Sequence, residues 1–301
     1  KMNKVTILDG GMGRELKRIG APFSQPLWSA QALIESPHYV KQAHQGFIDA
    51  GAEVITVNSY ACVPFHLGEE LYASRGKELA KSAAQIAREV VDCSGKNVVV
   101  AGSLPPPLGS YRPDLFEEAK AHEISSLLFQ AQDQYVDVWL AETVSSLAEA
   151  KVVLDVFSQT DKPYFVAFTL MDEVNQPARL RSGESVSSAV ELLLSSEAKG
   201  IFFNCSIPEI IEQAIKAVNN VVGLLERELA IGVFANSFTP INTSHEANNT
   251  VQALRHFSPQ EYLEFAKTWH SLGASIIGGC CGIEPSHIEV LSAWRDGMEE
   301  S

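Results

Sequence analysis

A regular alternation constrains this chain more than any other feature. Short, near-continuous apolar runs recur at 5–8, 53–57, 98–101, 136–141, 164–169, 200–203, 230–234 and 275–277, roughly 30 to 45 residues apart. Runs this short and this apolar suit parallel strands covered on both faces. Between them lie longer amphipathic stretches, among them 115–134, 187–195, 209–218 and 259–272. Ser258-Pro259-Gln260-Glu261 opens the last of these with an N-cap serine, a proline at the first helical position and an acid at the third. Asp114 and Ser206 are candidate starts of the same kind. Eight strand-then-helix units in 301 residues predict an α/β fold, a single-domain (β/α)8 TIM barrel over 1–301. The competitor is a doubly wound open sheet. It lacks support, because the glycines after the first strand read Gly10-Gly11-Met12-Gly13 and not G-x-G-x-x-G. The proline-rich stretch 104–109 follows the third strand as a rigid loop and not as a domain boundary.

Charge narrows the partners. Twenty-three Lys and Arg against 37 Asp and Glu leave a formal charge of −14. That field repels phosphate backbones and anionic membrane surfaces, which disfavours nucleic acid and suits a cationic or zwitterionic ligand. No apolar run approaches the roughly 20 residues a bilayer span needs. The first residues are too soon charged for a signal peptide. Five cysteines is an odd count and a poor disulfide framework, so a reducing, cytoplasmic setting is expected.

In such a barrel the active face is built from the C-terminal ends of the strands. Cys205 ends the sixth run, and Cys280 and Cys281 end the eighth, so three sulfurs share one mouth. Vicinal cysteines in a regular strand point to opposite faces. Flanked by Gly278, Gly279 and Gly282, the backbone is free to bend and both sulfurs can converge. Three thiolates leave one open position on a tetrahedral Zn²⁺, the pattern of a catalytic site. A vicinal disulfide or simple packing is the alternative for Cys280-Cys281. Cys62 and Cys93 read as small core residues.

Glu142 ends an apolar run, where a carboxylate calls for a ligand amine or for a salt bridge to a loop Arg or Lys. Asp9 repeats the situation at the first strand, before glycines whose amides suit a carboxylate; a simple turn residue is the other reading. Two acids and a nest of amides fit the two ends of an amino acid. The eight histidines show no metal spacing and are read as surface or satisfied polar groups, His44 and His270 included. Ser185, Ser187 and Ser188 carry no nucleophile-elbow motif.

Taken together, Asp9-Gly10-Gly11-Met12-Gly13, Glu142-Thr143, Asn204-Cys205 and Gly278-Gly279-Cys280-Cys281-Gly282 resemble the homocysteine S-methyltransferases. Pro26-Leu27-Trp28-Ser29-Ala30, His44, Ala50-Gly51-Ala52 and Ser59-Tyr60 look closest to the S-methylmethionine-type branch. The resemblance implies a zinc-bound (β/α)8 barrel that methylates the sulfur of L-homocysteine to give methionine. Cys205, Cys280 and Cys281 would hold zinc, Asp9 and Glu142 the substrate ammonium, and the amides of Gly10 and Gly11 its carboxylate. Asn236 sits where relatives carry an Asn-Ser pair after the seventh strand. The chain departs at Phe238-Thr239-Pro240 and in the 104–107 loop, both on the methyl-donor side.

The implied chemistry is coherent. A free thiol is only a few per cent thiolate at neutral pH, and zinc ligation removes its proton. A sulfonium donor, S-methylmethionine or S-adenosylmethionine, would pass its methyl in line to that sulfur. Trp28, Tyr60 or Phe65 could face the sulfonium, at about 0.5 to 2 kcal/mol. A betaine-type donor, a thiol-redox protein and a non-catalytic zinc-binding barrel are the alternatives.

Overall fold

Strands that are apolar on both faces need cover on both, and this chain supplies it by following its strands with helices that pack outside a closed ring. A computed structural model describes residues 4–223, 225, 227–237 and 255–299. The strands are β1 (Thr6–Ile7), β2 (Val54–Thr56), β3 (Val99–Leu104), β4 (Val138–Val144), β5 (Tyr164–Phe168), β6 (Gly200–Asn204), β7 (Ala230–Ala235) and β8 (Ala274–Gly279). All pair in parallel, in the order β1-β8-β7-β6-β5-β4-β3-β2. A parallel bridge from Leu8 to Val54 completes the ring, with Glu53 N–H donating to the Ile7 carbonyl at 2.7 Å and Asp9 N–H to Val54 at 3.1 Å. The fold is the expected TIM barrel.

Outside the ring run α1 (Met12–Arg18), α2 (Ser29–Glu35), α3 (Pro37–Ala50), α4 (Pro64–Leu67), α5 (Glu69–Ser94), α6 (Glu118–Gln132), α7 (Leu147–Phe157), α8 (Val186–Leu194), α9 (Pro208–Val222), α10 (Pro259–Ser271) and α11 (Pro285–Glu299). Ser258 caps α10 as its sequence predicts, accepting from Glu261 N–H at 3.1 Å. Asp114 and Ser206 cap nothing. Asp114 is drawn into a two-pronged pair with Arg112 at 2.8 and 2.7 Å, and α6 begins four residues beyond it. Ser206 Oγ turns inward to accept from Leu170 N–H at 2.9 Å, and Pro208 opens α9.

Two apolar layers result. The larger lies between ring and helices and holds Phe47, Trp139, Phe157, Trp269 and most aliphatic side chains. The smaller fills the barrel interior with Leu8, Leu140, Ala167, Phe202 and Phe234, against Phe165 and Ile276. Together these inward rings form the floor on which the mouth rests.

Strands three, four and eight run past their predicted ends, to Leu104, Val144 and Gly279. At β3 and β4 the polar residues that break the apolar run continue the strand, Ser103 bonding to Glu142 and Thr143 to Asn204, whereas β8 continues through Gly278 and Gly279. Two further expectations are corrected. Cys93 is exposed at the end of α5, whereas Cys62 is core. His44 is fully buried in α3 with neither ring nitrogen bonded, and burial pushes its pKa down to about 4, so it sits in the core as a neutral ring. Among the described residues no helix is long and apolar enough to cross a membrane.

Candidate active site

The mouth of the barrel encloses a cavity of about 190 Å³, lined from the strand ends by Asp9, Thr56, Glu142, Cys205, Cys280 and Cys281. Its two sides differ in chemistry.

On one side stand the carboxyls. Asp9 is 7% exposed; its Oδ2 accepts from Thr56 N–H at 2.9 Å and its Oδ1 faces Thr56 Oγ1 at 3.3 Å. Glu142 accepts from Ser103 Oγ in a short hydrogen bond. Neither meets a lysine or arginine among the described residues, so the salt bridge considered for Glu142 is not made. Burial pushes Asp9 up to about 7, opposed by the Thr56 amide and reinforced by the charge of Glu142. Burial likewise pushes Glu142 up to about 7, against the Ser103 hydroxyl. Two desolvated acids that lack a cation and share a cavity make a receptor for one.

The loop after β1 is pressed against the end of β8. A side chain on Gly11 would strike the Cys280 carbonyl, and one on Gly279 would strike Ile283. Only Gly282 of the three glycines near the cysteines has positive φ, at +84°. Gly278 and Gly279 therefore serve close approach and not the bend expected of them. Gly11 N–H donates to the Ile283 carbonyl at 3.0 Å, so it is not open to a carboxylate as the sequence suggested. Arg14, on α1, lines the same cavity.

On the other side stand the sulfurs. Cys205 and Cys280 are joined as a disulfide with Cα atoms 5.7 Å apart, and Cys281 is a free thiol packed with them under Tyr111. The vicinal Cys280–Cys281 bond is not formed. With two sulfurs bonded to each other, no group of three metal-ligating side chains stands open among the described residues. The disulfide and a three-thiolate site are alternative states of the same atoms. Burial raises the Cys281 thiol, and the charge of Arg14 pulls it back down. Three soft sulfurs gathered at one point, one of them already a thiol, are a donor set that fits zinc.

Cys205 takes φ +48°, rare for a residue with a side chain. Its sulfur receives Asn204 Nδ2 at 3.4 Å and Thr143 Oγ1 at 3.7 Å. Asn204 is itself fixed by Thr143, whose N–H donates to Asn204 Oδ1 at 3.0 Å.

Tyr60 and Trp28 line the cavity, joined by Phe23, His66, Tyr111 and Phe234; Phe65 is not among the lining residues and packs on His66. Tyr60 Oη lies 2.6 Å from Ser110 Oγ, and burial raises its phenol well above the usual range. Asn236 is fully buried, donates its N–H to the Ser206 carbonyl at 3.1 Å and does not line the cavity. Phe238-Thr239-Pro240 lies outside the described residues.

The sequence pattern of the homocysteine S-methyltransferase family matches residues 6–294. The chain belongs to that family. It is a methyltransferase. It is 28% identical to homocysteine S-methyltransferase 1 of Zea mays, over 95% of this chain and 93% of that one. It is 26% identical to homocysteine S-methyltransferase YbgG of Bacillus subtilis, over 97% and 95%. In structure it is similar to the metallated form of the homocysteine methyltransferase MmuM from Escherichia coli, with a TM-score of 0.79 at 23% identity over 97% and 96% of the two chains.

Proposed function

We propose that this methyltransferase moves a methyl group from a sulfonium donor, S-methylmethionine or S-adenosylmethionine, to the thiol of L-homocysteine, giving methionine. The observation that carries the reading is the two-sided mouth, with unpaired acids facing clustered sulfurs across one cavity.

Asp9 and Glu142 take the substrate ammonium, whose charge favours their ionised forms and draws their pKa values back down. The carboxylate falls to Gly10 N–H, which has no acceptor among the described residues, and to the Arg14 side chain. Cys205, Cys280 and Cys281 in their reduced state would hold Zn²⁺. When bound, zinc acidifies a ligated thiol and fixes it in place. In the transfer, the donor's S–CH3 bond breaks and its electron pair stays on the departing thioether. The homocysteine sulfur forms the new S–C bond, and the thiol proton goes to solvent. Charge disappears along the way, so the apolar floor of Leu8, Leu140 and Phe234 favours the step by keeping water out. Trp28 and Tyr60 face the donor cation. Free thiols need a reducing compartment, so a cytoplasmic setting goes with this reading.

The Cys205–Cys280 disulfide favours a second reading, a thiol-redox barrel whose working state is the oxidised one. One experiment separates the two. Reduced, zinc-supplied protein is mixed with L-homocysteine and S-methylmethionine deuterated in its methyl groups, and mass spectrometry follows the label, with Cys281→Ala as control. Labelled methionine formed from homocysteine, and absent with the variant, is the expected result. Stoichiometric zinc without label transfer from S-methylmethionine, S-adenosylmethionine or betaine would overturn the methyl-transfer reading. Absence of zinc together with a reversible disulfide would support the redox barrel.

A further inference from the structure

A buried ion pair stands beside the sulfur cluster without touching the substrate side of the mouth. Arg181 Nη2 and Asp172 Oδ2 lie 3.3 Å apart, with side chains 4% and 0% exposed. Such a pair seldom stabilises a fold more than apolar residues would, so its presence calls for something that it holds. Here it grips both sides of the turn that leaves β6. Arg181 Nη2 donates to the Cys205 carbonyl at 3.3 Å, and Arg181 Nε to Thr169 Oγ1 at 3.2 Å. Thr169 Oγ1 in turn donates to the same Cys205 carbonyl at 3.2 Å. Asp172 Oδ1 accepts from Ile207 N–H at 3.0 Å. The guanidinium also lies over the Tyr111 ring, 4.9 Å from its centre, and that ring packs on Cys205. The residue so gripped is the one at φ +48°. A strained backbone persists only where its surroundings over-determine it.

We propose that Arg181, held by Asp172 and Thr169, is a positioning residue for the metal site: it locks the Cys205 backbone and the Tyr111 wall so that the Cys205 sulfur stays directed at Cys280 and Cys281. This rests on the zinc reading given above. Arg181→Lys keeps the charge beside Asp172 but loses the planar fork that also serves Thr169 Oγ1 and the Cys205 carbonyl and stacks on the ring. Thr169→Val removes the second donor to the Cys205 carbonyl and leaves the ion pair whole.

The test uses reduced full-length protein. Zinc affinity is read by competition with a chromogenic chelator, thiolate ligation by the sulfur-to-metal charge-transfer band of the Co²⁺ form, and folding by thermal melts of metal-free protein. Arg181→Lys is expected to weaken zinc binding by about 10 to 100-fold and to diminish the Co²⁺ band, as loss of support behind a metal ligand does. Thr169→Val should weaken it by a smaller factor, with metal-free melts close to wild type. Zinc affinity equal to wild type in both variants, with lowered melts, would reduce the pair to a structural role and overturn the proposal. Should Arg181→Lys fail to fold, Thr169→Val decides alone. A wild type that binds neither zinc nor Co²⁺ overturns the zinc reading itself, a result distinct from a wild type that binds and variants that bind equally.

Discussion

The two sides of the barrel mouth are held in opposite ways. Asp9 and Glu142 are anchored lightly, each hydrogen-bonded to one neighbour among the described residues, Thr56 or Ser103, and both line the cavity. Cys205 is held from every direction: its sulfur by Asn204 and Thr143, its carbonyl by Thr169 and Arg181, and its N–H by the Phe234 carbonyl at 3.2 Å. The difference teaches a division of labour. A charge that waits for a small ammonium gains by staying incompletely solvated, because the ligand then completes it. Atoms that must meet at one point gain by having no freedom.

The comparison is broken most directly by removing one member from each side. Cys280→Ser should lose both zinc and methyl transfer, the latter by about a thousandfold or more, the several kcal/mol a bound metal contributes. Glu142→Gln should keep its zinc and weaken homocysteine binding by about a hundredfold, near the 3 kcal/mol lower end for breaking a buried charge pair. Metal analysis beside steady-state kinetics reads both; loss of zinc in Glu142→Gln would erase the distinction between the sides.

Acidity sharpens it next. Asp9 and Glu142 sit near 7 in the ligand-free protein and must be ionised to receive an ammonium, so binding weakens as pH falls through 7. Norleucine, which offers the ammonium and carboxylate without a thiol, should bind about tenfold more weakly per unit below that point for each group titrating. Calorimetry that finds the same affinity at pH 6 and pH 8 would count against the pair as receptor.

The smallest effect concerns a carboxyl of a different kind. Glu149 accepts from Ser145 N–H at 3.0 Å beside a small cavity shared with Glu142, and burial raises it to about 7. Between its unfolded value near 4.5 and 7 the folded chain binds more protons than the unfolded one, so this group's contribution to stability declines as pH rises through that window. Glu149→Gln, which keeps the acceptor, should raise stability at pH 8 by about 1 to 3 kcal/mol and change little at pH 4.5. Equal gains at both pH values in denaturant titrations would show that ionisation of Glu149 is not the cause.

The ring of strands was legible because apolar runs repeat at a fixed spacing, a signal that survives errors at each boundary. The strand ends were less so. Ser103 and Thr143 look like the start of loops until their bonds across the ladder are seen. Asp9, Glu142 and the cysteines stood out because charge or sulfur at the end of an apolar run has few ordinary explanations. Arg181 and Asp172 gave no such signal: a basic and an acidic residue in a polar loop read as surface until the fold buries them beside Cys205. Nor could spacing reveal that Gly11 spends its amide on Ile283, or that Asn236 is not among the residues lining the cavity, since both depend on contacts between distant segments.

Gly11 joins the two sides in one further respect. Its N–H is tied to the Ile283 carbonyl, and a side chain on it would strike the carbonyl of Cys280. The loop proposed to receive the amino acid and the loop that bears two of the sulfurs are thus tied together, with Gly279 N–H also donating to the Asp9 carbonyl at 3.1 Å. A tilt of one is a tilt of the other. In the proposed function, docking of the substrate's head and alignment of the reacting sulfur would therefore depend on one another through a contact that a methyl group on Gly11 would pry open.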